Sequence, residues 1–142
     1  MAEQTRSQIS IAATPAEVMA VIADFDQYPD WANVKRTEVL ATDDSGRASR
    51  VKFTLDAGVI KDTYVLAYTW ADREVSWKLV EQGSMLSAMD GSYTLAESDG
   101  TTVVTYELSV DVKVPMIGML KRKAEKTIVD TALNGLRKRV TG

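Results

Sequence analysis

Asp62 is the residue whose position most invites chemistry. It lies in a run that otherwise reads as an apolar strand, two residues before Tyr64. Side chains on a strand alternate between faces, so Asp62 shares a face with Tyr64, Leu66, Tyr68 and Trp70. A carboxylate on such a face must find donors or have its pKa raised. It could then orient a ligand hydroxyl or act as a general base. The plainer reading puts Asp62 at the rim of the sheet, solvated or paired with Lys or Arg. Asp90 and Glu81 are weaker candidates of the same kind.

The chain has no histidine and no cysteine. That excludes Ser-His-Asp and Cys-His nucleophiles and a His-ligated zinc or haem. Acid–base work falls to Asp, Glu, Lys or Tyr. No Asp/Glu spacing matches a calcium loop, so neither a metal nor a cofactor is expected. The absence of cysteine fits a cytoplasmic protein. Residues 1–6 lack a basic segment followed by an apolar core, so no signal peptide is expected. No apolar run approaches the roughly 18 residues of a membrane span.

The surroundings of Asp62 are aromatic. Residues 64–70 and 75–79 flank the turn Ala71-Asp72-Arg73-Glu74. Pairing Trp70 with Val75 aligns Tyr68 with Trp77 and Leu66 with Leu79, all on one face. Two further hairpins are legible. With Ala57-Gly58 as a two-residue turn, Leu55 faces Ile60, Phe53 faces Asp62 and Val51 faces Tyr64. With Asp99-Gly100 as the turn, Leu95 faces Val104 and Tyr93 faces Tyr106. Their outer faces, Arg50, Lys52, Thr54, Lys61 and Thr63 in one and Thr94, Thr105, Glu107 and Ser109 in the other, are polar.

The joined inner faces form a candidate ligand wall of Val51, Phe53, Leu55, Asp62, Tyr64, Leu66, Tyr68, Trp70, Trp77, Leu79, Met89, Tyr93, Tyr106 and Leu108, with Leu120 added by a helix across its mouth. Each of these residues taken singly reads as packing. Together they form an aromatic surface with polar handles, which suits a pocket better than a dry core.

The remaining elements form a frame for that wall. Residues 5–12 alternate as a strand. Thr14, Pro15 and Glu17 have the spacing of a capping box with proline at the first helical position. The helix they start runs to about residue 24, and a short helical turn follows around 26–31. Strands are expected at 35–41, 49–55, 60–71, 74–81, 86–96 and 101–113, an antiparallel meander without βαβ alternation. Residues 115–141 read as one long helix with Leu120, Ala124, Ile128, Leu133, Leu136 and Val140 on its apolar side. Gly135 in that helix reads as close packing on its neighbours. Gly118 reads equally as close packing or as a bend. At 142 residues the chain is expected to form a single domain, 1–142.

Charge is uneven along the chain. Residues 113–142 hold eight basic and two acidic side chains, whereas residues 1–112 hold nine basic and eighteen acidic. Cations near a helix C-terminus are ordinary. They also suit contact with an anionic membrane or an acidic partner. The basic runs lack interleaved aromatics, so no nucleic acid is expected.

The order of strand, helix, helical turn, six strands and long helix, with Ile11-Ala12-Ala13-Thr14-Pro15-Ala16-Glu17-Val18 and Ile22-Ala23-Asp24-Phe25-Asp26-Gln27-Tyr28-Pro29-Asp30-Trp31, resembles the START-like (Bet v 1-like, SRPBCC) superfamily. Within it the chain is similar to the bacterial polyketide cyclase/dehydrase and lipid-transport group, which includes coenzyme-Q-binding-like proteins. Residues 86–95 and 100–106 extend the resemblance over nearly the whole chain.

The resemblance implies an α+β helix-grip fold, a curved antiparallel sheet of about seven strands around a long C-terminal helix. It also implies a deep cavity for a lipid, isoprenoid, quinone or polyketide. Three functions follow as expectations. The first is a non-catalytic carrier or sensor of an apolar small molecule. The second is a polyketide aromatase/cyclase or dehydratase with Asp62 and a nearby Tyr moving protons. The third is a protein-interaction module of the same fold.

Overall fold

The first helix starts where the capping box requires. The Glu17 backbone N–H donates to Thr14 Oγ1 at 3.2 Å, and the Glu17 carboxylate accepts from the Thr14 backbone N–H. Pro15 occupies the first turn, where its missing N–H costs nothing. In this computed structural model, which describes residues 5–32, 34–56, 61–113 and 118–142, the order is β1 (Thr5–Ile11), α1 (Pro15–Ala23), a 3-10 turn (Phe25–Gln27) and α2 (Tyr28–Trp31), then β2 (Val34–Thr42), β3 (Ala48–Asp56), β4 (Lys61–Trp70), β5 (Glu74–Glu81), β6 (Leu86–Ser98), β7 (Thr101–Val112) and α3 (Gly118–Thr141).

The seven strands form one curved antiparallel sheet in the order β1-β7-β6-β5-β4-β3-β2. The first strand therefore pairs with the last, Thr5 opposite Leu108. The long helix α3 lies against β1 and β7 and touches α1 and α2. This is the α+β helix-grip arrangement, with a curved sheet closed by its C-terminal helix.

Two of the three expected hairpin registers hold. Trp70 pairs with Val75, Tyr68 with Trp77 and Leu66 with Leu79. Leu95 pairs with Val104 and Tyr93 with Tyr106. Asp99 (φ 51°) and Gly100 (φ 79°) both take left-handed backbone, as a two-residue primed turn demands.

The β3–β4 hairpin differs. Leu55 pairs with Asp62, Phe53 with Tyr64 and Val51 with Leu66, and the last pair among the described residues is Asp56 with Lys61. The expected two-residue turn at Ala57-Gly58 and its partner Ile60 lie outside the described residues. Relative to the expected register, each β3 residue faces a partner two positions further along. A shift of two preserves the faces, so the inner face kept its membership although every pair changed.

The buried core joins the sheet's inner face to Val18, Ile22 and Phe25 on one side and to Ala124, Ile128, Val129, Ala132, Leu133 and Leu136 of α3 on the other. Gly135 is the contact point with α2. A Cβ there would lie 1.9 Å from the Trp31 carbonyl oxygen, so only glycine lets the helices approach this closely. This is the packing role expected of Gly135. Leu120 does not face the sheet. It is 39% exposed beside Met119 at 72%, and the apolar stripe begins to pack at Ala124.

Candidate functional site

Between the sheet and α3 the side chains enclose a small cavity of ≈ 50 Å³. Phe53, Leu55, Tyr64, Leu66, Tyr68, Trp77, Met89, Tyr93 and Tyr106 border it from the sheet. Ile128 and Ala132 border it from α3, and Tyr28, Ala32 and Val34 from the segment leading into β2. Nine of the expected wall residues are thus brought together. Six others fall elsewhere, Asp62 among them. Val51 and Leu108 are fully buried in the surrounding core. Trp70 and Leu79 are partly buried at its edge, and Trp70 Nε1 donates to the Ala48 carbonyl at 2.7 Å beneath the Arg47 guanidinium. Leu120 is exposed, as noted above.

The rings form a continuous aromatic lining. Phe53 and Tyr64 stack at 5.9 Å, Tyr68 and Trp77 lie 5.6 Å apart, and Tyr93 and Tyr106 meet edge to face at 4.6 Å. Gly91 makes room for this wall, because a Cβ there would lie 2.5 Å from the Trp77 ring.

Tyr28 donates its hydroxyl to the Ile22 carbonyl. The hydroxyls of Tyr64, Tyr68, Tyr93 and Tyr106 make no hydrogen bond to another described residue. Burial, and then the neighbouring phenols, pushes all five tyrosines above their ordinary pKa; for Tyr106 burial alone acts. They stay neutral across the physiological range and can each donate one hydrogen bond.

Asp62 is not a base in this cavity. Its Oδ1 accepts the backbone N–H of Thr63 (2.9 Å) and Ser84 (2.8 Å) and the Ser84 hydroxyl (3.2 Å). Its Oδ2 accepts the backbone N–H of Met85 (3.1 Å) and Leu86 (2.8 Å). Burial alone would push its pKa up, but the N–H donors of Leu86, Ser84, Met85 and Thr63 together outweigh burial and hold it below the usual carboxylate range. A carboxylate so saturated has little capacity left for a substrate proton. Its role is to pin the β5–β6 connection to β4. Gly83 completes that clasp, since a Cβ there would stand 2.1 Å from Asp62 Oδ1. Asp90 and Glu81 are exposed. Among the described residues no acidic side chain borders the cavity.

The buried carboxylate that sequence reasoning missed is Glu125, which is fully enclosed on the inner side of α3. It accepts the Thr5 hydroxyl at 2.8 Å and the Val110 backbone N–H at 2.7 Å. The available signal was an acid beside Ala124, inside the stripe that continues at Ile128 and Val129.

A ligand pocket for a drug-sized molecule measures about 300–1,000 Å³. A cavity of ≈ 50 Å³ holds only a few waters. Admitting an organic ligand therefore displaces a wall. The sheet wall is laced by backbone hydrogen bonds, whereas α3 is held by side-chain packing, by Glu125 and by the pairs Asp130–Ser7, Lys121–Asp111 and Arg139 with Gln27 and Asp30. Displacing α3 would break side-chain contacts and no sheet hydrogen bond. A larger depression of ≈ 720 Å³ lies open to solvent between α2 and the end of α3, among Asp30, Thr131, Asn134, Lys138 and Arg139. Its lining is mixed, with Trp31 and Gly135 beside the polar side chains, and it is open to solvent. Among the described residues no cluster of His, Cys, Asp or Glu could hold a metal ion, and no helix is long and apolar enough to cross a membrane.

Solved structures share this fold. A START superfamily protein from Mycobacterium smegmatis superposes with a TM-score of 0.88 at 21% identity, covering 96% of each chain. An aromatase/cyclase from Streptomyces superposes at 0.82 with 15% identity, over 99% of this chain and 94% of the other. A protein from Thermus thermophilus superposes at 0.80 with 22% identity, over 97% of both chains. No curated protein matched the chain. The family model described as polyketide cyclase / dehydrase and lipid transport matches residues 2–141, and the chain belongs to that family.

Proposed function

We propose that the chain binds an apolar small molecule, a lipid, isoprenoid, quinone or polyketide-like compound, between the sheet and α3, as a carrier or sensor. One observation carries this reading. Tyr64, Tyr68, Tyr93 and Tyr106 border an otherwise apolar cavity, and their hydroxyls are not committed to other described residues. Buried phenols normally find partners. A ligand with a carbonyl or hydroxyl oxygen within an apolar frame supplies them. Contact of the basic helix α3 with an anionic membrane, as source or destination of an insoluble ligand, belongs to the same reading.

The family description favours a second reading, a polyketide aromatase/cyclase or dehydratase. In that case the tyrosines would polarise carbonyl oxygens as neutral donors, because Asp62 is engaged by the backbone. The two readings separate by experiment. Native mass spectrometry and organic extraction of protein from its own host should recover a defined apolar compound at stoichiometric occupancy. If poly-β-ketone substrates are instead turned over and Tyr106→Phe abolishes turnover, the cyclase reading replaces the carrier.

A further inference from the structure

We infer that the N-terminal end of α3 is a docking surface for an anionic lipid bilayer, with Met119 and Leu120 entering the interface. This rests on the carrier reading and specifies where the membrane is met. Two of the five large exposed apolar side chains among the described residues are neighbours here, Met119 at 72% and Leu120 at 39%. A helix of period 3.6 puts Met119, Arg122, Lys123 and Lys126 on one face. Arg122, Lys123 and Lys126 are all exposed. An apolar tip backed by cations is the pattern that partitions into a headgroup layer, with aliphatic groups below the phosphates and ammonium and guanidinium groups among them.

The second basic run, Arg137-Lys138-Arg139, differs. It has no exposed large apolar neighbour. Ion pairing does not separate the two runs, since Lys126 meets Asp130 at 2.9 Å and Arg139 meets Asp30 at 3.7 Å; the apolar neighbours do. An acidic protein would be met by charge alone and would favour neither run over the other. A bilayer rewards the Met119–Leu120 tip. Docking at this end also places the membrane against the element whose displacement breaks no sheet hydrogen bond.

The absence of cysteine makes the test direct. Met119→Cys and, separately, Lys138→Cys are labelled with an environment-sensitive dye and mixed with phosphatidylglycerol/phosphatidylcholine or pure phosphatidylcholine vesicles. The expected result is a blue shift at position 119 on anionic vesicles only, and none at 138. Met119→Ser with Leu120→Ser should lower co-sedimentation by about tenfold or more, whereas Arg137→Glu with Lys138→Glu changes it by less than about twofold. A shift at 138 without one at 119, no binding of the wild type to anionic vesicles, or unchanged binding of the serine double variant overturns the inference. Capture on an acidic polypeptide with no dependence on Met119 and Leu120 also overturns it, in favour of a protein partner. Trp77 fluorescence in a Trp31→Phe, Trp70→Phe variant, on titration with a water-soluble aromatic ketone, reads the cavity separately. Loss of that signal would count against the carrier reading without touching the docking result.

Discussion

The Leu86 backbone N–H donates to Asp62 Oδ2 at 2.8 Å, joining the start of β6 to the start of β4 across 24 residues of chain. Three more backbone donors converge on the same carboxylate. Asp62→Ala would leave them without an acceptor at a buried site, and should cost about 3 kcal/mol. Asp62→Asn keeps part of the acceptor capacity and should cost less. The acid limb of stability is diagnostic. The folded pKa is depressed, so the contribution is present above the unfolded value near 4 and is lost as pH falls through the folded pKa. Chemical denaturation at pH 7 and pH 3 should therefore show a gap between wild type and Asp62→Asn that narrows in acid. A ligand affinity unchanged in Asp62→Asn would agree with a structural role.

Gly135→Ala should separate α3 from α2. The added Cβ would meet the Trp31 carbonyl oxygen at 1.9 Å, and backbone cannot give way as a side chain tip does. Overpacking of this kind costs about 1–3 kcal/mol, and thermal melting should show the loss. The Gly83→Ala clash, with Asp62 Oδ1 at 2.1 Å and the Thr63 carbonyl at 2.3 Å, should cost a similar amount. Melting temperatures unchanged in both variants would mean the close approaches are not as tight as described.

Tyr64→Phe and Tyr106→Phe should leave stability within about 0.5 kcal/mol, because neither hydroxyl bonds to another described residue. Binding of a ligand with a polar oxygen should weaken by about 3- to 10-fold per variant, the value of one hydrogen bond. Calorimetric titration of the extracted ligand checks this. Affinities equal to wild type in both variants would mean that shape alone selects the ligand.

Ligand affinity should be flat between pH 6 and pH 9. The tyrosines bordering the cavity are raised above their ordinary value of 10, and no carboxylate of a described residue borders it. Stability behaves differently in alkali. Phenols with raised folded pKa values keep their protons while the unfolded chain loses them, so stability is full below pH 10 and falls above it. Unfolding monitored by circular dichroism from pH 9 to pH 12 should show that decline. A bell-shaped affinity profile centred near neutrality would reveal a titrating group at the site that the geometry does not supply.

Much of this architecture could be read from residue patterns, for physical reasons visible at particular positions. Alternation along 64–70 and 101–110 and the Asp99-Gly100 turn are local signals, and each defined a face before any partner was known. The β3–β4 register was not local in this sense. It depends on how many residues the connection uses, and Ala57-Gly58 looked like a complete turn, whereas the described pairs, Leu55 with Asp62 and Phe53 with Tyr64, run two positions away from that register. Asp62 was placed on the right strand and face, but its donors come from the backbone of residues 84–86, and backbone amides leave no mark in a sequence. Leu120 continued the helical stripe on paper, yet the stripe begins to pack one turn later. Tyr28, Ala32 and Val34 reach the cavity because α2 folds back over the sheet, a tertiary event that periodicity does not encode.

The pairing of β1 with β7 has a consequence for biosynthesis. A chain made from its N-terminus leaves β1 without its strand partner until β7 has emerged, and α3 comes later still. During that interval the aromatic concavity has no lid. Neither the pairing of β1 nor the helical cover of the sheet can form before the C-terminal end of the chain is made.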